Sequence, residues 1–351
     1  MMLSIIIPVY KTGKTLYRCL DTVFSQIEGC ANADEVEVLA VNDASPDDCG
    51  TLLEAYRERH PALRIVTHEQ NKGEAGAHNT GIEKSNGEYF TFLDSDDAYR
   101  GDAIEKILKV IKQYRPDLIH YSYARVDENC KFLSRSVMSF PGLHTVDTII
   151  ERARRSLFYD TAFGIMTAGG VYRRDVAPKL RMNPQFPISG ERYYGWQFFA
   201  KCRTVYQMDD ILYDYYQYTN TLSKVWSDRA VDGLLELDIR FWREMQQHAQ
   251  FKTGGKYAFR RLFPGFVGWH YELVFLSESD KRKLAGKYFE ALAGYLAGGV
   301  ALRELGLMYF CLKFISRYKS VRLMHLYRTV FYCYVWRAER KMKRILKRLF
   351  A

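Results

Sequence analysis

The first 125 residues alternate between two hydrophobic rhythms. Leu3 to Val9, Val36 to Val41, Leu63 to Thr67, Tyr89 to Leu93 and Leu118 to Tyr123 are short runs of strand length, rich in apolar residues. Between them, apolar positions recur at helical spacing. The sets are Leu16, Leu20, Val23, Phe24 and Ile27; then Leu52, Leu53 and Tyr56; then Ala75, Ala77 and Ile82; then Ile104, Ile107, Leu108 and Ile111. This alternation predicts an α/β fold with a mostly parallel sheet and helices on both faces. Past residue 125 the rhythm loosens. Val126 to Phe132 reads as a hairpin, Val146 to Phe158 as a helix, and Met166 to Arg174 as a strand containing Gly169 and Gly170.

The run from Tyr89 to Leu93 carries no charge and is expected as a central strand covered on both faces. It ends in Asp94-Ser95-Asp96-Asp97. Three carboxylates within four residues repel one another unless a cation sits among them, and oxygen-only ligands suit Mg²⁺ or Mn²⁺. A structural alternative is that Asp97 or Asp102 caps the helix beginning near Gly101. Ligands of open α/β sheets bind beyond the carboxyl ends of the strands, where these acids fall. Tyr10 and Asp43 end two neighbouring strands. A nucleotide on this rim would receive an aromatic face from Tyr10 and an acceptor for a base N–H from Asp43, with the acids taking the phosphates.

Composition narrows the class. The 351 residues are 48% hydrophobic and 26% charged, as in a globular protein. Seven cysteines are scattered singly, so no zinc site is indicated and a reducing cytoplasm is expected. No signal peptide and no run of membrane-spanning length is read. The net charge of +10 is uneven: residues 301–351 hold 13 Lys/Arg against 2 Asp/Glu, leaving the first 300 nearly neutral.

Four stretches together resemble family 2 glycosyltransferases: Ser4-Ile5-Ile6-Ile7-Pro8-Val9-Tyr10, Val41-Asn42-Asp43-Ala44-Ser45, Asn71-Lys72-Gly73 with Ala77-His78-Asn79-Thr80-Gly81-Ile82, and Gly87 through Asp97. The resemblance implies a GT-A fold, Rossmann-like, an inverting reaction and a nucleotide-sugar donor. It implies that Pro8, Val9, Tyr10 and Asp43 hold the base, that Lys72, Asn79 and Ser95 belong to the donor site, and that Asp94 and Asp96 are the DXD pair for ribose, metal and diphosphate. Mn²⁺ or Mg²⁺ is the implied cofactor. Inversion needs a base that deprotonates the acceptor hydroxyl. The family places it in a Glu-Asp pair before an aromatic helix; here Ser189-Gly190-Glu191-Arg192 stands there, so Glu191 is the expected base. Trp196 in that helix is expected either to stack on a sugar or to sit in the core. The family strand passing under the acceptor corresponds to Met166 to Arg174, whose glycines would admit substrate to the backbone.

The chain departs from the family pattern at several positions. Ala44 replaces a glycine, and His78 an arginine whose charge it could replace only when protonated. In the closing strand, Asp209 to Ser223, Tyr216 and Tyr218 replace an Arg and a His that touch the diphosphate. Tyr hydroxyls and Lys224 are the expected substitutes.

The expected organisation is a catalytic domain over residues 1–223, with a nucleotide-sugar half at 1–125 and an acceptor half at 126–223. A C-terminal helical extension follows at 224–300, and a basic aromatic tail at 301–351. Within 321–350, Val335, Ala338, Met342, Ile345, Leu346 and Leu349 form an apolar face opposite seven Lys/Arg. That pattern predicts an in-plane helix on an anionic membrane at the inner face of the cell, with a helix packed on the catalytic domain as the alternative. The expected partners are a nucleotide-sugar donor and a glycan or lipid-linked acceptor of bacterial surface polysaccharide; no nucleic acid is expected. Two rival readings are a non-catalytic relative serving as a binding or scaffold subunit, and a sugar nucleotidyltransferase. The latter would open on a glycine-rich phosphate loop, which Pro8-Val9-Tyr10-Lys11-Thr12 is not.

Overall fold

The computed structural model describes residues 1–138, 140–155, 169–185 and 190–218, all within the compact unit Met1–Leu237. The expected extension at 224–300, the tail at 301–351 and Lys224 lie outside the described residues.

Strands β1 (Leu3–Val9), β2 (Val36–Asn42), β3 (Leu63–Thr67) and β4 (Tyr89–Phe92) alternate with helices α1 (Gly13–Glu28), α2 (Cys49–Arg59) and α3 (Gly73–Lys84), as the two rhythms predicted. A two-residue strand β5 (Ala98–Tyr99) leads to α4 (Ala103–Tyr114) and β6 (Leu118–Asp127). The rest of the described chain adds β7 (Phe132–Ser136), β8 (Gly142–Thr145), α5 (Val146–Arg155), β9 (Gly170–Arg173), α6 (Gly190–Phe199) and β10 (Thr204–Gln217).

The sheet order is β3-β2-β1-β4-β9-β6-β10-β5, with β7 on β6 and β8 on β10. The first four strands are parallel. β9 then runs antiparallel to both β4 and β6, and β10 is parallel to β6. The chain-order alternation therefore holds for one half only. After α4 the chain leaves a gap beside β4, and β9, more than fifty residues later, fills it. Such a nonlocal pairing leaves no trace in local periodicity.

Strand alternation explains the two covered faces. Leu3, Ile5, Ile7 and Val9 of β1 join the core beneath α1, α2 and α4. Ile6 points the other way, toward α3, where the missing side chain of Gly81 makes room: a Cβ there would lie 2.2 Å from Ile6 Cγ2. Leu39 and Val41 of β2 meet Ala77 of α3 on the same face. Around β9 an aromatic cluster takes over. Tyr172 of β9 stacks on Phe90 with centroids 5.5 Å apart and meets Tyr194 and Phe198 of α6 at 5.7 and 4.9 Å. Phe92 meets Tyr194 at 6.3 Å. These contacts fix α6 against the carboxyl end of β4.

Candidate donor and catalytic site

The carboxyl ends of β1, β2 and β4 meet at one rim, and their loops are braced to one another. Lys11 N–H donates to Ser45 Oγ (2.7 Å) and Gly13 N–H to Asp47 Oδ2 (3.0 Å). Ser45 Oγ also donates to Asp47 Oδ1 (2.5 Å). These bonds hold the Asp47 carboxyl down at about 2 against the loss of solvation. Ala44 adopts φ +53°, the left-handed region that favours glycine, which accounts for the glycine expected there. Tyr10 keeps 38% of its surface exposed at this rim.

Asp43 is 2% exposed. Its Oδ1 is held by His68 Nδ1 at 2.6 Å and by the Lys72 N–H at 2.8 Å. His68 Nε2 meets Thr80 Oγ1 at 2.8 Å, so the imidazole links α3 to the acid. His68 was not singled out in the sequence, because a lone histidine after a strand carries no signal of its partner.

The three acids after β4 have separate fates. Asp97 is fully buried and fully engaged: Tyr213 Oη donates to Oδ2 (2.6 Å) and Tyr216 N–H to Oδ1 (2.8 Å). It ties the loop to β10 and caps no helix. Asp102 stands at the start of α4 without a side-chain cap and pairs with Lys106 at 3.0 Å. Ser95 is buried, and its hydroxyl accepts from Thr12 Oγ1 (3.0 Å). Asp94 and Asp96 remain half-buried. Burial and then the charges of Glu191 and Asp96 push Asp94 well up. Burial raises Asp96, with Arg18 opposing.

Glu191, in the first turn of α6, is brought to this cluster by the aromatic packing beneath it. Glu74, in the first turn of α3, is close enough for the two carboxyl groups to interact. Glu74 is solvent-exposed. Surrounding protein and the Glu191 carboxylate both drive its titration upward, with Asp94 and Asp96 adding to it. Glu74 also escaped the sequence reading, as an ordinary acid in a helix's first turn.

Among the described residues, no three His, Cys, Asp or Glu side chains converge as a metal cage. Two free-facing carboxylates are nevertheless a donor set of the kind Mg²⁺ and Mn²⁺ use, since these ions keep several positions for waters and substrate phosphates. The excess of negative charge points the same way.

The family model for glycosyl transferase family 2 matches residues 4–181, just over half of the chain. The chain belongs to that family. It is 25% identical over 242 residues to the Streptococcus pneumoniae glycosyltransferase GlyA, a match covering 67% of this chain and 33% of the relative's length. The chain thus spans about a third of that relative. Among solved structures, S. aureus TarS 1–349 in complex with UDP-GlcNAc superposes with a TM-score of 0.72 at 16% identity, over 96% of this chain and 92% of that one. The mannosyltransferase PcManGT from Pyrobaculum calidifontis, in complex with GDP-Man and Mn²⁺, gives 0.52 at 14% identity, over 92% and 84%. The fold is that of this GT-A group.

Several positions of this family 2 member do other work than expected. His78 is buried, bonds Glu74 O through Nδ1 (2.8 Å) and lies edge-on to Phe92; burial lowers its titration, so it is neutral near pH 7 and is no phosphate cation. The Asn79 amide is spent on both backbone groups of Met182, at 2.8 and 2.9 Å. Gly170 does not admit substrate: the Tyr172 ring fills the space a Cβ would take, at 2.6 Å from its hydroxyl. Trp196 is a core residue packed on Phe199. Tyr216 Oη pairs with Cys130 Sγ (3.3 Å), and the Tyr218 hydroxyl accepts from Arg18. Lys72 sits before α3 with its side chain exposed. Among the described residues no helix is long and apolar enough to cross a membrane.

Proposed function

We propose that this chain transfers a sugar from a UDP-sugar to a hydroxyl of a glycan or lipid-linked glycan, with inversion, in bacterial surface polysaccharide synthesis. The observation that carries the reading is the group of mutually repelling acids Asp94, Asp96, Glu74 and Glu191 beside the Asp43 loop. A fold needs no such group; a diphosphate with a divalent cation does. The UDP-GlcNAc bound by TarS and the Mn²⁺ bound by PcManGT support the donor and metal.

In this reading Tyr10, Pro8 and Val9 line the base and Asp43 accepts its N–H, its carboxylate orientation set by His68 and the Lys72 amide. Asp94 and Asp96 would hold Mn²⁺ or Mg²⁺, which when bound supplies charge to stabilise the departing nucleoside diphosphate. Glu191 accepts the proton of the acceptor hydroxyl as that oxygen attacks the anomeric carbon. The two helix N-termini that carry Glu191 and Glu74 add partial positive charge toward the anionic donor. The basic segment 321–350 would hold the enzyme on the anionic inner face of the membrane, near a lipid-linked acceptor.

The test is nucleotide release from UDP-, GDP-, dTDP- and CMP-sugars with Mn²⁺ and with EDTA, in wild type, Asp96→Ala and Glu191→Gln. The expected result is metal-dependent release of UDP, absent in Asp96→Ala. Glu191→Gln should lose turnover onto an acceptor while keeping donor affinity. Undetectable UDP binding in the presence of Mn²⁺ would overturn the reading. Intact turnover in Glu191→Gln would remove that residue from the base role.

A further inference from the structure

Helix α1 carries a polar stripe of Thr15, Arg18 and Thr22 beside its buried apolar face. All three reach the acid loop or the strand after it. Thr15 Oγ1 donates to Ser95 O (3.3 Å), Arg18 Nη2 to Asp96 O (2.7 Å), and Thr22 Oγ1 accepts from Tyr99 N–H (3.2 Å). Arg18 is gripped from β10 as well. Its guanidinium lies 3.6 Å from the centroid of the Tyr216 ring and donates to the Tyr218 hydroxyl. That hydroxyl donates in turn to Asp96 O (3.2 Å). The Tyr216 N–H, one link further, holds Asp97. The chain of contacts closes on itself: α1, acid loop, β10 and back to α1 through one guanidinium. Arg18 Nε is buried without a hydrogen-bond partner, so stacking and the Nη2 bonds are what orient the group.

We infer that Arg18 is a positioning residue of the donor site: it clamps the Asp94–Asp97 loop between α1 and β10 and sets a fixed positive charge beside Asp96. The inference rests on the donor reading above and deepens it, because the loop so held is the one that would receive the diphosphate and its metal. A lysine would not substitute. Only a planar guanidinium can stack on Tyr216 while donating in its own plane to Asp96 O and Tyr218.

Two measurements on the full-length protein test this. Hydrogen exchange of the ligand-free protein reads the clamp, and calorimetric titration of UDP with Mn²⁺ reads its consequence. Arg18→Met should speed exchange of the Tyr99 and Tyr216 amides at least tenfold, leave the amides of β1 to β3 unchanged, and weaken Mn²⁺–UDP binding about tenfold. Arg18→Lys should fall between Met and wild type. Exchange within twofold of wild type at Tyr99 and Tyr216 would overturn the clamp, as would a uniform acceleration reaching β1 to β3, which marks general loss of stability. Arg18→Lys matching wild type in both readouts would overturn the role of planar geometry. If wild type itself bound no UDP, the donor reading would fail, while exchange would still decide whether Arg18 fixes the loop.

Discussion

The two ends of the same sheet treat buried acids in opposite ways. At the amino end, Glu37 faces Ser4 across β1 and β2 and is 2% exposed. Its oxygens accept from Ser4 Oγ (2.7 Å), Asn86 N–H (2.8 Å) and Asn86 Nδ2 (3.0 Å), and from Arg64. These bonds outweigh burial and hold its titration below the usual range. Asp117, just before β6, is likewise met by Arg203 N–H (2.6 Å), Thr204 N–H (3.1 Å) and Arg173 (2.7 Å). At the carboxyl end, Asp94 and Asp96 crowd Glu191 and Glu74, and the titrations of Asp94, Asp96 and Glu74 are pushed up. An acid whose partners are protein groups is structural. An acid whose neighbours are other acids is waiting for a ligand, and the fold tolerates its cost because Asp94 and Asp96 are only half-buried and Glu74 is exposed.

Breaking each end should therefore damage different properties. Asp96→Asn is expected to lower metal-dependent turnover about 10³-fold, as several kcal/mol of charge stabilisation is lost. Its thermal midpoint should hold or rise, because a repelled carboxylate is gone. Kinetics and calorimetry on one preparation would check both halves. Glu37→Ala should do the reverse: a loss of about 3 kcal/mol in urea unfolding, since buried donors are left unpaired, with Mn²⁺–UDP affinity in the surviving folded fraction unchanged. A Glu37 variant as stable as wild type would collapse the distinction.

A pH series sharpens it. Groups with raised titration stabilise the fold below their unfolded values near 4 and lose that contribution as pH rises through the folded value. Asp94, Asp96 and Glu74 belong to that class, and so does buried Asp97, held up by Asp96 and Asp94 after burial. Glu37 is the opposite: its contribution is present above its unfolded value and lost as pH falls. Bound Mn²⁺–UDP should cancel the rim's decline, so its thermal shift should be larger at pH 8 than at pH 5.5. An equal or smaller shift at pH 8 would contradict the charge account. The smallest effect is at the rim's backbone. Ala44→Gly relieves a positive φ and should stabilise by about 0.5–1 kcal/mol, with nucleotide affinity unchanged.

Much of the first half of the sheet was legible in the chain. The bounds of β1 and β3 coincide with the runs Leu3 to Val9 and Leu63 to Thr67; β1 is buried along nearly its whole length and is accordingly almost wholly apolar. The rim position of Tyr10, Asp43 and the Asp94 loop followed from the same alternation. The second half of the sheet was legible only as elements. That β9 enters antiparallel between β4 and β6 depends on pairing across fifty residues or more, and no local rhythm encodes a partner.

Side-chain duties divide along the same line. The sequence by itself determined which residue types stand at the strand ends, and so the chemistry available there: acids, an exposed tyrosine, a polar loop. Only tertiary structure decided which acid is spent and which is free. Asp94, Asp96 and Asp97 are neighbouring acids in the chain, yet it is the Asp97 carboxylate that is held by both the Tyr213 hydroxyl and the Tyr216 N–H, over a hundred residues away. Glu74, His68 and Arg18 entered the site by the same route, each an ordinary residue on its own element until packing delivered its partner. The physical reason is range. Hydrophobic periodicity is set by neighbours along the chain, whereas hydrogen-bond satisfaction and charge repulsion are set by neighbours in space.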